Sequence, residues 1–357
     1  MQSVVRLCCY YACLALSGCF SLPIDSKYQG PALRPQSVLN YYKSNSDYGN
    51  FTEHVTENNN DYKVKKALIE SDYGPINLDL YLTHKPSRNI VLIFPVLKGK
   101  PLVENHFAEY FAENGIDVAI VGRNSDFMDP INADKFESVL RQNIMRDKLA
   151  IDFLEEQYAK NSFGSFGLSR GAINAAITAG ADSRLKHNIL VLGASDIPKI
   201  LEKSDQRRIK KYLKLAAVQT KTDRNQLLNN LQKSVKSDPK YLAPYIDARH
   251  TLLVLGLFDG TVPIRYGNNL RKQLGNPKTI YLLANHYTSL AFTQTVCSLL
   301  PEKVDLLCPF PFDYIETEAL SFYRNSMELQ RSTPKIMAYR ILSSPFEMIG
   351  RLTNYIF

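Results

Sequence analysis

Strands and helices alternate along this chain, which predicts an α/β fold with a mostly parallel central sheet flanked by helices. Three observations carry the prediction. Continuous apolar runs recur at 89–96, 116–121, 188–193 and 251–258, as strands buried on both faces require. Segments with helical periodicity separate them. A run of small residues around Gly167-Leu168-Ser169-Arg170-Gly171 marks a sharp turn from a strand into a helix.

The 357 residues are 45% hydrophobic and carry a formal net charge of +8. That composition suits one large α/β domain with additions. The charge is moderate, and no helix-turn-helix, zinc-finger or RNA-binding signature accompanies it, so nucleic acid is not an expected partner.

Residues 1–18 read as a signal peptide. Arg6 supplies a thin positive region, and Leu7 to Leu16 is an apolar core too short to span a bilayer. The core ends in Leu16-Ser17-Gly18-Cys19, which resembles the bacterial lipobox. That resemblance implies lipid (palmitate-type) acylation of Cys19 and anchoring to a membrane of the bacterial cell envelope, on its periplasmic face or at the cell surface. A plain secretory signal is the alternative. Each buried CH₂ of such a chain contributes about 0.8 kcal/mol, so several chains on one cysteine anchor firmly.

Cysteine usage agrees with export. Cys8, Cys9 and Cys13 would leave with the signal, and the body keeps Cys297 and Cys308. Those two either pair as a disulfide or stand as separate buried thiols. No CxxC or Cys/His spacing points to zinc, and no metal or cofactor is expected. Residues 19–60 are polar and rich in turn formers, and read as a tether, parts of which Tyr28, Tyr41, Tyr42 and Tyr48 could pack on the body.

The body, residues 61–300, follows in order. Tyr62 to Ile69 and Ile76 to Leu82 alternate apolar and polar residues and predict an antiparallel hairpin. A buried strand, 89–96, precedes a helix with Phe107, Tyr110 and Phe111 on one face, ended by Gly115. The strand 116–121 comes next. Asp134 and Glu137 are spaced as a capping box opening a long helix. The strand 162–169 leads into Ser169, and a helix of small residues follows. After the strand 188–193 the alternation stops. Residues 198–247 are helical in composition and basic, with Lys199, Lys203, Arg207, Arg208, Lys210, Lys211 and Lys214 close together. They predict a small helical cap inserted over the sheet's C-terminal edge. Such clusters are solvated faces or contacts with anionic lipid or an acidic substrate. Strands 251–258 and 279–283 enclose a helix at 266–274, and a last helix is expected over 287–300. Residues 301–357 form a C-terminal extension, with a helix over 319–330. Its apolar end either packs on the body or lies as an interfacial helix.

The chemistry-bearing residues fall at strand ends. Ser169 ends one strand, Asp259 opens Asp259-Gly-Thr-Val-Pro263 after another, and His286 lies in Asn285-His-Tyr-Thr288 after the last. All three therefore reach the C-terminal edge of the sheet, where such folds place their ligands. A serine hydroxyl needs a base to take its proton, and a carboxylate to fix the imidazole tautomer. Asp196, just past strand 188–193, is an alternative acid. His106 is placed to line the pocket. His84 precedes the core, His54 lies in the tether, and His187 and His250 precede strands at the opposite edge.

With G-x-S-x-G, the order Ser169, Asp259, His286 resembles the α/β-hydrolase superfamily, closest to its esterase and serine-peptidase branches. The resemblance spans about two thirds of the chain. It implies Ser169 as nucleophile, His286 as general base and acid, Asp259 as its orienter, and the Arg170 N–H in the oxyanion hole. The chain lacks the His-Gly-Gly-Gly of some relatives and has Phe94-Pro-Val-Leu-Lys-Gly99, so an N–H of Val96 or Leu97 would be the second donor. The expected activity is hydrolysis of an ester or thioester of a small-molecule acyl substrate through an acyl-serine. Two alternatives are a serine peptidase on short peptides and an inactive surface lipoprotein that binds a partner.

Overall fold

The computed structural model describes residues 19–85, 87–96, 102–123, 127–293, 313–327 and 329. Its strands are β1 (Cys19–Leu22), β2 (Phe51–Asn58), β3 (Tyr62–Ile69), β4 (Ile76–Thr83), β5 (Asn89–Phe94), β6 (Asp117–Val121), β7 (Ser162–Leu168), β8 (Leu185–Val191), β9 (Thr251–Gly256) and β10 (Lys278–Leu282). The helices are α1 (Gln36–Tyr41), α2 (Leu102–Glu113), α3 (Phe136–Tyr158), α4 (Arg170–Ala181), α5 (Ile197–Lys203), α6 (Arg207–Gln219), α7 (Arg224–Ser234), α8 (Pro239–Leu242), α9 (Ile264–Gln273) and α10 (Tyr314–Ser326).

All ten strands form one sheet, ordered β1-β10-β9-β8-β7-β5-β6-β4-β3-β2. From β6 to β10 every neighbouring pair is parallel. The predicted hairpin β3–β4 is antiparallel and joins the sheet through β6. The central strands are buried along nearly their whole length, because helices cover both faces. Two apolar layers result. One holds Phe107, Phe111 and Phe166, and the other Phe94, Phe153 and Phe163.

Residues 19–60 are not a free tether. β1 pairs antiparallel with β10, and β2 pairs antiparallel with β3, so this segment supplies both edges of the sheet. Between them it crosses the body. Arg34 donates to the carbonyls of Ala179 and Gly180, and Tyr42 is buried with its hydroxyl 2.9 Å from Ser237 Oγ. Edge strands leave N–H and C=O groups that an extended segment can pair. β2 is almost wholly exposed, so its side chains carry no apolar alternation and its sequence reads as irregular.

The cap, α5 to α8, lies between β8 and β9 and packs its apolar side on α3 and α4. Asp134 does not cap α3. A 3₁₀ turn over Pro130–Lys135 precedes that helix, which has no side-chain cap. Glu137 instead accepts from the N–H groups of Lys236 and Ser237, from Ser237 Oγ (2.7 Å) and from the Tyr41 hydroxyl (2.8 Å). A carboxylate with this many donors joins the cap and the N-terminal segment to the body, a long-range use that local spacing does not reveal.

The expected helix over 287–300 is a short 3₁₀ turn, Thr288–Phe292, within the described residues. The expected helix over 319–330 is α10, shifted toward the N-terminus and part of the core. Tyr323 is fully buried, meets Phe111 edge-on at 5.5 Å and donates its hydroxyl to Ser165 O at 2.7 Å. Cys297, Cys308, Leu97 and the apolar C-terminal stretch lie outside the described residues. Among the described residues no helix is long and apolar enough to cross a membrane.

Candidate active site

β7 ends at Leu168 and α4 begins at Arg170, so Ser169 alone makes the turn. Its backbone has φ 54° and ψ −118°, a region L residues rarely occupy. The flanking glycines are steric requirements. A Cβ on Gly167 would lie 2.3 Å from the Gly171 carbonyl oxygen, and one on Gly171 would lie 2.1 Å from the Phe94 oxygen. The Ser169 N–H donates to Val191 O at 2.7 Å, which ties the strained residue to β8. The start of α4 then sets first-turn N–H groups beside the hydroxyl.

Asp259 lies three residues past β9 and is 6% exposed. Its Oδ1 accepts from the Val262 N–H at 2.8 Å, and its Oδ2 lies 2.7 Å from His286 Nδ1. His286 follows β10 in a turn built by Asn285, whose Oδ1 accepts from the N–H groups of Tyr287 and Thr288, each at 2.9 Å. His286 Nε2 lies 2.9 Å from Ser169 Oγ. The three residues predicted from their strand-end positions therefore form one hydrogen-bonded line. A carboxylate at Nδ1 requires the proton there, which leaves Nε2 to accept from the serine hydroxyl.

On the oxyanion side, Val96 has partners on two elements of the body. The Val96 N–H donates to Glu104 Oε1 at 2.6 Å, and the Val96 carbonyl accepts from Arg170 Nε at 2.7 Å. The Val96 amide is thus engaged with a side chain of α2 in this structure. Burial pushes the Glu104 carboxyl above the usual range, opposed by the Val96 N–H and the Arg170 charge. Arg170, the residue whose N–H was expected in the oxyanion hole, opens α4. Its guanidinium lies 5.6 Å above the Phe127 ring.

Other candidates stand elsewhere. Asp196 accepts from Lys240 Nζ at 3.2 Å and belongs to the cap. His106 Nε2 lies 2.8 Å from Glu316 Oε1 and joins α2 to α10. His187 and His250 pack on each other, rings 5.3 Å apart.

Two bracing residues are invisible in the sequence. The Asp205 N–H donates to Gly260 O at 3.1 Å, beside Asp259. Gln206 Nε2 donates to the Tyr287 hydroxyl at 2.9 Å, beside His286. Both belong to the cap and act across more than fifty residues, beyond the reach of any local motif. The Asp259–Val262 bond is different, since its i to i+3 spacing is an ordinary turn pattern.

No protein-family model matches the chain, and no curated protein matches its sequence. Solved structures do match. An acetyl xylan esterase from Paenibacillus sp. R4 is 15% identical, with 70% of this chain and 86% of that one covered and a TM-score of 0.52. Acetyl xylan esterase 1 from Thermoanaerobacterium sp. JW/SL YS485 is 14% identical, with coverage of 83% and 97% and a TM-score of 0.54. Carboxyl esterase 2 from the mycorrhizal fungus Tuber melanosporum is 15% identical, with coverage of 77% and 89% and a TM-score of 0.52. At such identities the likeness is one of architecture, and it agrees with the strand order and the parallel sheet: the chain has the α/β-hydrolase fold.

Proposed function

We propose that this protein is a serine hydrolase that cleaves a carboxylic ester or thioester through an acyl-serine intermediate. The observation that carries the reading is the unbroken line from Asp259 through His286 to Ser169, at 2.7 and 2.9 Å. Ser169 Oγ attacks the acyl carbon while His286 Nε2 takes its proton. The negative charge on the carbonyl oxygen is met by N–H groups at the start of α4, the Arg170 N–H first. The tetrahedral adduct collapses, the bond to the alcohol or thiol breaks, and His286 returns the proton to that leaving group. A water then gives His286 a proton and attacks the acyl-serine; as that adduct collapses, the acyl–Oγ bond breaks, His286 returns the proton to Ser169 Oγ, and the acid leaves. Asp259 holds the Nδ1 proton and stabilises the imidazolium at each stage. The similar structures are of esterases, and ester hydrolysis is taken from them as the first substrate class.

The test compares the parent with Ser169→Ala on short acyl nitrophenyl esters and with a fluorophosphonate probe. Turnover and labelling by the parent alone are expected. Labelling with preferred cleavage of dipeptidyl amides would move the reading to a peptidase. If neither protein reacts, the hydrolase reading is wrong and the body is a binding module.

The lipobox-like Leu16-Ser17-Gly18-Cys19 supports a companion proposal, that Cys19 carries lipid and holds the protein on an envelope membrane. Because β1 starts at Cys19, such an anchor would hold the sheet edge close to the bilayer. Labelled palmitate should enter the parent and not Cys19→Ser, and equal incorporation would reject it.

A further inference from the structure

The basic helix of the cap starts beside the loop that carries His286. Between Asp205 and Asp223 the chain has six basic residues (Arg207, Arg208, Lys210, Lys211, Lys214, Lys221) and no acidic one. Ile209, Tyr212, Leu213 and Ala216 turn one side of α6 into the cap. Arg207, Lys211, Lys214 and Val218 follow at intervals of four, three and four, and so make a single outward stripe, all exposed. Val218 is 72% exposed and Leu215 is 43% exposed. Aliphatic side chains thus stand in water among the cations.

The start of this helix touches the site. Gln206, just before α6, donates to Tyr287, the neighbour of His286. Tyr287 is 59% exposed, and Phe258, beside Asp259, is 67% exposed. The Phe258 N–H donates to Ala284 O at 3.1 Å, so the loops that carry these two aromatic residues are held together.

We propose that this surface docks on an anionic lipid bilayer. Phosphate headgroups lie against the α6 cations, while Val218, Phe258 and Tyr287 enter the headgroup boundary and the site opens toward the lipid. Charge complementarity points to a polyanionic occupant. The interleaved apolar side chains choose lipid over nucleic acid, because they gain from acyl chains and not from a phosphodiester backbone. The surface is independent of serine reactivity, so Ser169→Ala docks as the parent does even if the hydrolase reading fails.

The experiment floats the full chain carrying Cys19→Ser with vesicles of phosphatidylcholine, alone or with about 30% phosphatidylglycerol. Binding to the anionic vesicles is expected to be at least about tenfold stronger and to weaken as salt rises. Combined Arg207→Gln, Lys210→Gln, Lys211→Gln and Lys214→Gln should abolish the preference with an unchanged circular dichroism melt. Should that variant melt early, Lys211→Gln with Lys214→Gln is read instead. Val218→Ser should weaken binding to both compositions. Equal binding to the two compositions, or a preference retained without the α6 charges, would overturn the proposal. So would duplex DNA that competes the protein off anionic vesicles.

Discussion

Glu104 Oε1 accepts the N–H of Val96 at 2.6 Å, on an amide that sequence alone nominates to hold an oxyanion. Glu104 is buried, so its carboxylate depends on the Val96 N–H and the nearby Arg170 charge more than on water. Arg170 holds the other side of the same residue through the Val96 carbonyl. The end of β5 is therefore clamped between α2 and the residue that follows the proposed nucleophile.

Removing that clamp gives the first prediction. Glu104→Ala leaves the Val96 N–H without its acceptor, which costs about 1–3 kcal/mol in urea unfolding. It should also lower kcat more than it raises KM, because the loop leaving β5 loses its position. Glu104→Gln keeps an acceptor and should recover most of kcat. Equal losses in both variants would show that charge matters and position does not.

The elbow predicts a steric result. Gly171→Ala would set a Cβ 2.1 Å from the Phe94 carbonyl oxygen, against backbone that cannot swing away. Unfolding should be easier by about 3 kcal/mol or more. An unchanged urea midpoint would mean that β5 and α4 are not pressed together as described.

Asp259→Asn keeps the shape of the loop but offers an amide to His286 Nδ1. The wrong tautomer is then favoured, and kcat on a nitrophenyl ester should fall about 10⁴-fold. Fluorophosphonate labelling should slow in parallel, while the thermal midpoint changes little. A small loss of rate would assign the acid elsewhere, with Asp196 next to be tested.

His187 predicts a pH dependence of stability. It is 8% exposed and burial pushes its pKa from 6.5 down to about 4, helped by His250. Between those values the unfolded chain binds the proton more readily than the folded one. Stability is therefore full above about pH 6.5 and falls as pH drops toward 4. The contribution should be about 3 kcal/mol between pH 7 and pH 4. Urea midpoints of the parent and His187→Gln, measured at both ends, should show a shallower fall in the variant. Parallel curves would remove His187 as the source.

What could be read directly from the residues were the periodic elements and the strand ends. The apolar runs of β5, β6, β8 and β9 name their own burial. The alternation of β3 and β4 names a half-covered hairpin. The positions of Ser169, Asp259 and His286 follow from strand ends alone, because a parallel sheet carries its C-terminal loops to one edge. Tertiary structure decided the rest. β2 is polar because it is exposed on both faces, so only the free edge of β3 makes it a strand. Glu137 spaces like a cap but binds Ser237, a hundred residues away, where four donors outweigh one. The Val96 N–H meets Glu104, and Asp205 and Gln206 brace the loops from inside the cap. Local pattern determines which residues are buried and where strands stop. Which donor meets which acceptor across the fold is a competition among distant groups, and only packing brings those groups within reach.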